Sequence, residues 1–131
     1  MYQWRKMTAE QREAALKLRQ ESHRPWHGPP HYEADNGLYL ITAACFEHQP
    51  VIGKTLARMG EFEAELLMTT RAHAQTIFAW IVLPNHYHML VRARPVKRVL
   101  SALGRLHGGT AFRWSGEDVK RGRQVWHRAA Y

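Results

Sequence analysis

The sequence predicts an α+β fold of the ferredoxin-like type, in which one antiparallel sheet carries helices on one of its faces. Three observations lead to this prediction. Strand-like and helix-like patterns follow one another in the order strand, helix, strand, strand, helix, strand. The two middle strands are joined so tightly that we expect them to be antiparallel. The chain of 131 residues suits one compact domain and leaves little room for a second.

The N-terminal part is predicted to be a helix followed by a linker. Thr8 and Gln11 have the spacing of a capping box, and a mostly polar helix is expected from there to about Glu21. The following residues are rich in proline, glycine and histidine, a composition typical of a linker. We therefore assign residues 1–37 to this helix and linker, and residues 38–131 to the main domain.

Three strands and one helix are predicted in the first part of the main domain. Residues 38–46 form an apolar run that predicts the first strand. Apolar residues recur every three or four positions over residues 58–73, which predicts an amphipathic helix. Residues 76–83 are almost entirely apolar and predict a buried strand, with Trp80 in the core. A Pro-Asn break separates this strand from the next one, over residues 86–92.

The C-terminal part is predicted to contain a second helix and a short last strand. The helix is expected over residues 97–114, with irregularity near its end because glycine weakens a helix at three positions: Gly104, Gly108 and Gly109. Residues 115–122 are predicted to be a charged loop, and residues 124–126 a short final strand. The sheet face opposite the helices is then available for a site or for nucleic acid.

Basic residues are concentrated at the C-terminal end. Residues 1–91 carry nine basic and nine acidic side chains, whereas residues 92–131 carry ten basic and two acidic ones, so the whole net charge of +8 lies there. Such a concentration favours a phosphate backbone as partner; the alternative is a solvated basic face. Three arginines of the second helix share one face at spacings of seven and eight residues and are candidates for DNA contact: Arg98, Arg105 and Arg113.

The composition argues against several classes of protein. No apolar run approaches the length of a membrane span, and no apolar stretch follows the N-terminal charges as a secretory signal requires. Cys45 is the single cysteine, which excludes an intramolecular disulfide and a multi-cysteine zinc site. We expect a cytoplasmic protein without a membrane partner.

The sharpest chemical feature is the segment His86-Tyr87-His88. Residues i and i+2 of a strand point to the same face, with Cα atoms roughly 6.5–7 Å apart. Two imidazoles at this spacing can converge on one cation, while Tyr87 points into the core. A bare His-x-His pair also arises by chance, so its place at the start of a strand, directly after a Pro-Asn turn, adds weight to the metal-site interpretation.

These residues carry a resemblance to a known family. The segment AWIVLPNHYHMLV, residues 79–91, resembles the HUH motif of single-tyrosine transposases, and most closely that of REP-associated tyrosine transposases. Residues 38–52 look like the first strand and loop of these proteins, and residues 122–131 look like their segment around a Val-Trp pair. The resemblance covers about residues 38–131.

The resemblance implies a DNA-cutting enzyme. Mg²⁺ or Mn²⁺ would be held by His86 and His88, and a tyrosine would attack single-stranded DNA next to a hairpin and form a phosphotyrosine link. It also implies a homodimer and DNA transposition as the process. Further DNA contacts are expected from the basic C-terminal end and its tryptophan: Arg121, Arg123 and Trp126. The alternative is a DNA-binding module, derived from such a transposase, that holds single-stranded or hairpin DNA without cutting it.

The sequence departs from the family pattern at its C-terminal end. The family's nucleophilic tyrosine and a further metal ligand lie on a helix beyond the Val-Trp segment, whereas Tyr131 stands only five residues after Trp126. Tyr131 corresponds to a family residue that is not the nucleophile. It is therefore a weak candidate for the catalytic tyrosine. We therefore expect a truncated, split or decayed transposase with two protein ligands to its metal. A cupin or a two-motif phosphoesterase is disfavoured, because each needs strands or histidines that are missing here.

Overall fold

The computed structural model describes residues 7–21 and 37–127. The chain divides into two compact units, Met1–His31 and Tyr32–Tyr131; the sequence-based boundary at residue 37 stays a prediction. Helix α1, Ala9–Glu21, lies in the first unit. The expected capping box begins it, since the N–H of Gln11 donates to Thr8 Oγ1 at 3.2 Å and the N–H of Thr8 donates to Gln11 Oε1 at 2.9 Å.

The second unit is built on an antiparallel sheet. Strands β1 (Leu38–Ala44), β2 (Thr76–Leu83) and β3 (His86–Arg92) are arranged in the order β1-β3-β2. The predicted fourth strand is reduced to a single bridge between Trp126 and Cys45 on the outer side of β1. The predicted α+β class with an antiparallel sheet is confirmed.

Two helices cover one face of this sheet. Helix α2 is Leu56–Arg71 and helix α3 is Val96–Glu117. Alternate residues of β3 point toward the helices and are fully buried, whereas the residues between them lie on the opposite face. Most of the largest core side chains come from β3 and from both helices: Tyr87, Met89, Phe62, Leu66, Leu103 and Trp114. The opposite face is therefore where a site on β3 must lie.

Strand β2 is an edge strand, and the prediction that it is buried was wrong. Most of its side chains are exposed, and Trp80, expected in the core, is 41% exposed. The Trp80 indole N–H donates to Glu63 Oε1 at 2.7 Å. An apolar run does not reveal whether a strand lies at the centre or at the edge of a sheet, because that depends on pairing between distant segments.

Helix α3 is continuous, and the predicted irregularity at its glycines was wrong. The helix also includes the first three residues of the predicted charged loop, because it ends at Glu117. Each mid-helix glycine costs roughly 1 kcal/mol relative to alanine. The helix buries Val99, Leu103 and Trp114, and burial of one such side chain contributes about 1.5–3 kcal/mol. Packing therefore outweighs the weak intrinsic helix propensity of this segment.

Within residues 7–21 and 37–127, none of the helices combines the length and the apolar character that a membrane crossing requires.

Candidate functional site

His86 and His88 project together from the sheet face opposite the helices. Their ring centroids are 5.0 Å apart and the ring planes meet at 82°. Tyr87 between them is fully buried on the helix side. The strand alternation therefore separates two ligand-type side chains from one core side chain, as the local pattern suggests.

Asn85 fixes the protonation of His86. The Asn85 side-chain amide donates to the carbonyl of His48 at 3.1 Å, which leaves Asn85 Oδ1 facing His86 Nδ1 at 2.6 Å. Because Oδ1 only accepts, the proton of the neutral ring sits on Nδ1. The lone pair is then on Nε2, which has no hydrogen-bond partner among the described residues. A polar group that holds Nδ1 in this way is typical of metal-binding histidines.

His88 has an analogous partner on the neighbouring strand. Thr42 is opposite His88 in the β1–β3 register, and its hydroxyl lies 2.7 Å from His88 Nδ1. Nε2 of His88, like that of His86, is left without a hydrogen-bond partner in the part of the chain that the structure describes. Both rings therefore lie on the same face of the sheet, and each has its Nδ1 in contact with a neighbouring polar side chain.

His86 is held in its neutral form. Burial lowers the pKa of His86 below its usual value, and the positive potential of His88 and His48 lowers it further. A neutral imidazole is the form that coordinates a metal. The described residues contain no cluster of three or more histidine, cysteine or acidic side chains able to hold a metal. A cation here would thus have two imidazole ligands from these residues.

The predicted arginines on α3 differ in their surroundings. Arg98 and Arg105 are exposed and form no ion pair among the described residues; Arg105 Nη1 donates to Ser101 Oγ at 3.0 Å. Arg113 instead pairs with Glu65 of α2 at 2.9 Å, and this hydrogen bond raises the Arg113 pKa. The charges of Arg98 and Arg105 therefore remain for an external anion, whereas that of Arg113 is largely compensated within the fold.

The predicted residues after α3 lie near the end of that helix. Arg121 donates to the carbonyl of Phe112 at 3.1 Å and stacks over the Phe112 ring at 4.5 Å. Arg123 forms an ion pair with Asp118, and its Nε is buried without a hydrogen-bond partner among the described residues. Both arginines are thus positioned by contacts within the chain.

Trp126 lies in the core. It is 7% exposed, and its indole N–H donates to Thr110 Oγ1 at 3.0 Å. One ring face stacks on His107 at 4.2 Å, with the planes 21° apart. The ring is therefore not accessible to an unpaired base, and we assign Trp126 to packing.

His107 of α3 packs against the rings of Trp126 and Tyr87. Its Nε2 lies 3.0 Å from the Tyr87 hydroxyl, and burial lowers its pKa to about 4. The histidine is therefore neutral at physiological pH. The sequence placed it on a helix but gave no sign that the C-terminal segment folds over it.

A charge cluster around Asp118 was not predicted. The Asp118 side chain is 4% exposed and contacts Arg58, Lys54 and Arg123, with Arg58 Nη2 at 2.7 Å from Oδ1. The hydrogen bond from Arg58 is the largest cause of a strongly lowered Asp118 pKa. Arg58 and Lys54 are separated from Asp118 by about sixty positions in the chain, so the pattern of the sequence could not reveal these contacts.

None of the tyrosines among residues 7–21 and 37–127 reaches the two histidines. Tyr87 is buried on the helix side, and Tyr39, opposite Val91 in the β1–β3 register, packs against the same core. Tyr131 lies outside the described residues.

Comparison with solved structures finds a protein whose fold is similar to that of this chain. A solved structure described as a REP-associated tyrosine transposase bound to a REP hairpin superimposes with a TM-score of 0.55 and 12% sequence identity, over 81% of this chain and 60% of that one. The chain thus spans less than two thirds of the length of that protein. No protein-family model matches the sequence, and no curated protein matches it. The shared feature is the fold, and a distant relationship between the two proteins is consistent with it.

Proposed function

We propose that this protein acts on single-stranded or hairpin DNA as a transposase of the HUH type, with a divalent cation, Mg²⁺ or Mn²⁺, held by His86 and His88. The observation that carries the proposal is the pair of outward imidazoles, whose centroids are 5.0 Å apart and whose Nδ1 atoms are both engaged by neighbouring polar side chains. The transposase fold of the solved neighbour and its hairpin ligand support the choice of DNA.

The donor set fits such a cation. Neutral imidazole suits several divalent metals, and Asn85 and Thr42 orient the two rings as supporting polar groups do at metal sites. When bound there, the cation supplies Lewis-acid polarisation of one DNA phosphate. The side chains themselves hold the rings in place, keep His86 neutral and leave the sheet face open to a polynucleotide.

Cleavage requires a tyrosine that the described residues do not bring to the site. In the proposed reaction a tyrosine oxygen forms a bond to phosphorus, the bond from phosphorus to O3′ breaks, and O3′ gains a proton. Since Tyr39 and Tyr87 face the core in every copy, the nucleophile is a tyrosine outside the described residues, in this chain or in the second copy of a homodimer. The same observation favours the second candidate, a module that binds hairpin or single-stranded DNA without cutting it.

Incubation of the protein with hairpin-bearing single-stranded DNA and Mn²⁺ separates these candidates. A covalent protein–DNA adduct on a denaturing gel, lost in the His86→Ala, His88→Ala double variant, supports the enzyme. Binding by both proteins with no adduct supports the module. Absence of binding by the unmodified protein contradicts both.

We expect Asn85→Ala to weaken Mn²⁺ binding by roughly 10–100-fold, because the variant loses the acceptor that orients His86. Titration calorimetry measures the affinity, and thermal unfolding checks that the fold is intact. Gln49→Ala removes an exposed polar side chain from the loop that follows β1 and serves as the control. Equal Mn²⁺ affinity in the two variants would contradict the orienting role of Asn85.

A further inference from the structure

A groove lies on the helix side of the C-terminal segment, away from the two histidines. It has a volume of about 800 Å³ and is bounded by α3 on one side and residues 122–127 on the other. We propose that this groove binds a nucleotide of the DNA strand, with its base inside and its phosphate at the rim. The proposal rests on the proposed function in taking DNA as the partner, and it adds a second contact to the one at the histidine pair.

The wall formed by α3 is glycine-rich for no reason internal to the fold. Gly104 and Gly108 line the groove, and a Cβ at either position would meet nothing within 4 Å. Packing therefore does not require glycine there, and a mid-helix glycine weakens the helix. What glycine does provide at these two positions is width, since a larger side chain would fill the groove.

Two side chains of the groove, Arg123 and His107, carry a nitrogen that has no hydrogen-bond partner among the described residues, although the charge of Arg123 is paired with Asp118. Arg123 lines the groove, and Arg123 Nε has no hydrogen-bond partner among the described residues. His107 also lines it. The Tyr87 hydroxyl has only His107 Nε2 as acceptor in the described part of the chain, so the proton of neutral His107 is on Nδ1. The Nδ1–H of His107 is thus a second donor that has no hydrogen-bond partner among the described residues.

The character of the lining suits a nucleotide. Among the described residues no acidic side chain lines the groove, and Leu100, Ala111 and Val125 give it apolar surface for a flat base. A nucleotide offers several ring and carbonyl acceptors for an N–H donor. An apolar protein segment would leave these donors less well satisfied.

The position of the groove fits a strand that also reaches the histidines. The N–H of His127 donates to the carbonyl of Ala44 at 2.9 Å, and Ala44 is directly opposite His86 in the β1–β3 register. Two strand spacings, roughly 10 Å, therefore separate the backbone at the end of the groove from that of His86. A DNA strand that passes around the edge of the sheet at this point could reach from the groove to the face that carries the histidines.

The experiment fills the groove and measures DNA affinity without metal. Gly104→Leu and Gly108→Leu place a side chain inside it, whereas Gly109→Leu adds the same side chain to the same helix at an exposed position that does not line the groove. We expect affinity for a fluorescent hairpin-bearing single strand in EDTA to fall about tenfold in the first two variants and to be unchanged in the third. All three should unfold at a temperature no lower than that of the unmodified protein, because leucine favours a helix over glycine.

The possible results separate a failure of the groove proposal from a failure of the proposed function. Equal DNA affinity in Gly108→Leu and Gly109→Leu would overturn the groove and leave the function standing. A change in oligomeric state in Gly108→Leu with unaltered DNA affinity would instead assign the groove to a protein segment. If the unmodified protein binds no DNA, both proposals fail.

Discussion

Trp126→Ala is expected to lower the free energy of unfolding by about 3–5 kcal/mol, the usual cost of truncating a buried tryptophan. The ring joins both helices and β3, since it lies 5.4 Å from Phe62, 6.2 Å from Tyr87 and 5.9 Å from Trp114 between ring centroids. The variant also loses the hydrogen bond to Thr110. Thermal and urea unfolding measure the effect, which corresponds to a midpoint roughly 15–25 °C lower.

Trp80→Ala is the matched control for this prediction. It removes the same side chain from the edge strand, where the ring is 41% exposed, so we expect a loss of about 1 kcal/mol. If Trp126 were instead a platform for an unpaired base, its replacement would leave stability nearly unchanged and reduce DNA binding. That result would contradict the assignment of Trp126 to the core.

Asp118→Asn is expected to destabilise the fold by about 3 kcal/mol, because it leaves buried cations without their counter-charge. Arg58 is 8% exposed and contacts Asp118 through both terminal nitrogens, at 3.1 and 2.7 Å. The variant keeps the size of the side chain, so the loss reports the charge rather than a cavity. Urea unfolding at neutral pH measures it.

The contribution of Asp118 also depends on pH. Its pKa in the folded protein is far below its usual value, chiefly because of the hydrogen bond from Arg58. Between the two pKa values the unfolded chain binds a proton that the folded chain does not. The stabilisation is therefore complete above about pH 5 and is lost as the pH falls through 4 toward the folded pKa. Asp118→Asn should show a correspondingly smaller loss of stability over this range.

Glu117→Gln provides the control for the charge cluster. Glu117 also pairs with Arg58, at 2.8 Å, but its side chain is 47% exposed. A solvent-exposed carboxylate contributes less than about 1 kcal/mol to such a pair. Equal losses in the Asp118 and Glu117 variants would show that burial does not control the energetics of this cluster.

Local patterns in the sequence were sufficient for the main helices, for strands β1 to β3 and for the histidine pair. The capping box at Thr8, the amphipathic period of α2 and the Pro-Asn break before β3 depend on neighbouring residues. The placement of His86 and His88 on one side of β3, with Tyr87 on the other, follows from strand geometry alone. Their role as metal ligands stays a prediction.

The position of each strand in the sheet, the burial of side chains and the ion pairs depend on contacts between distant segments. Whether β2 lies at the edge, and hence whether Trp80 is exposed, follows from the strand order β1-β3-β2. The burial of Trp126 against His107, and of Asp118 beside Arg58, follows from how the C-terminal segment and the end of α3 return to the sheet and to α2. The sequence determined which residues form strands and helices and which imidazoles share a face, because backbone geometry has a fixed local period. Tertiary packing alone decided which side chains are removed from water and which charges meet, because burial and ion pairing depend on distance in space and not on separation along the chain.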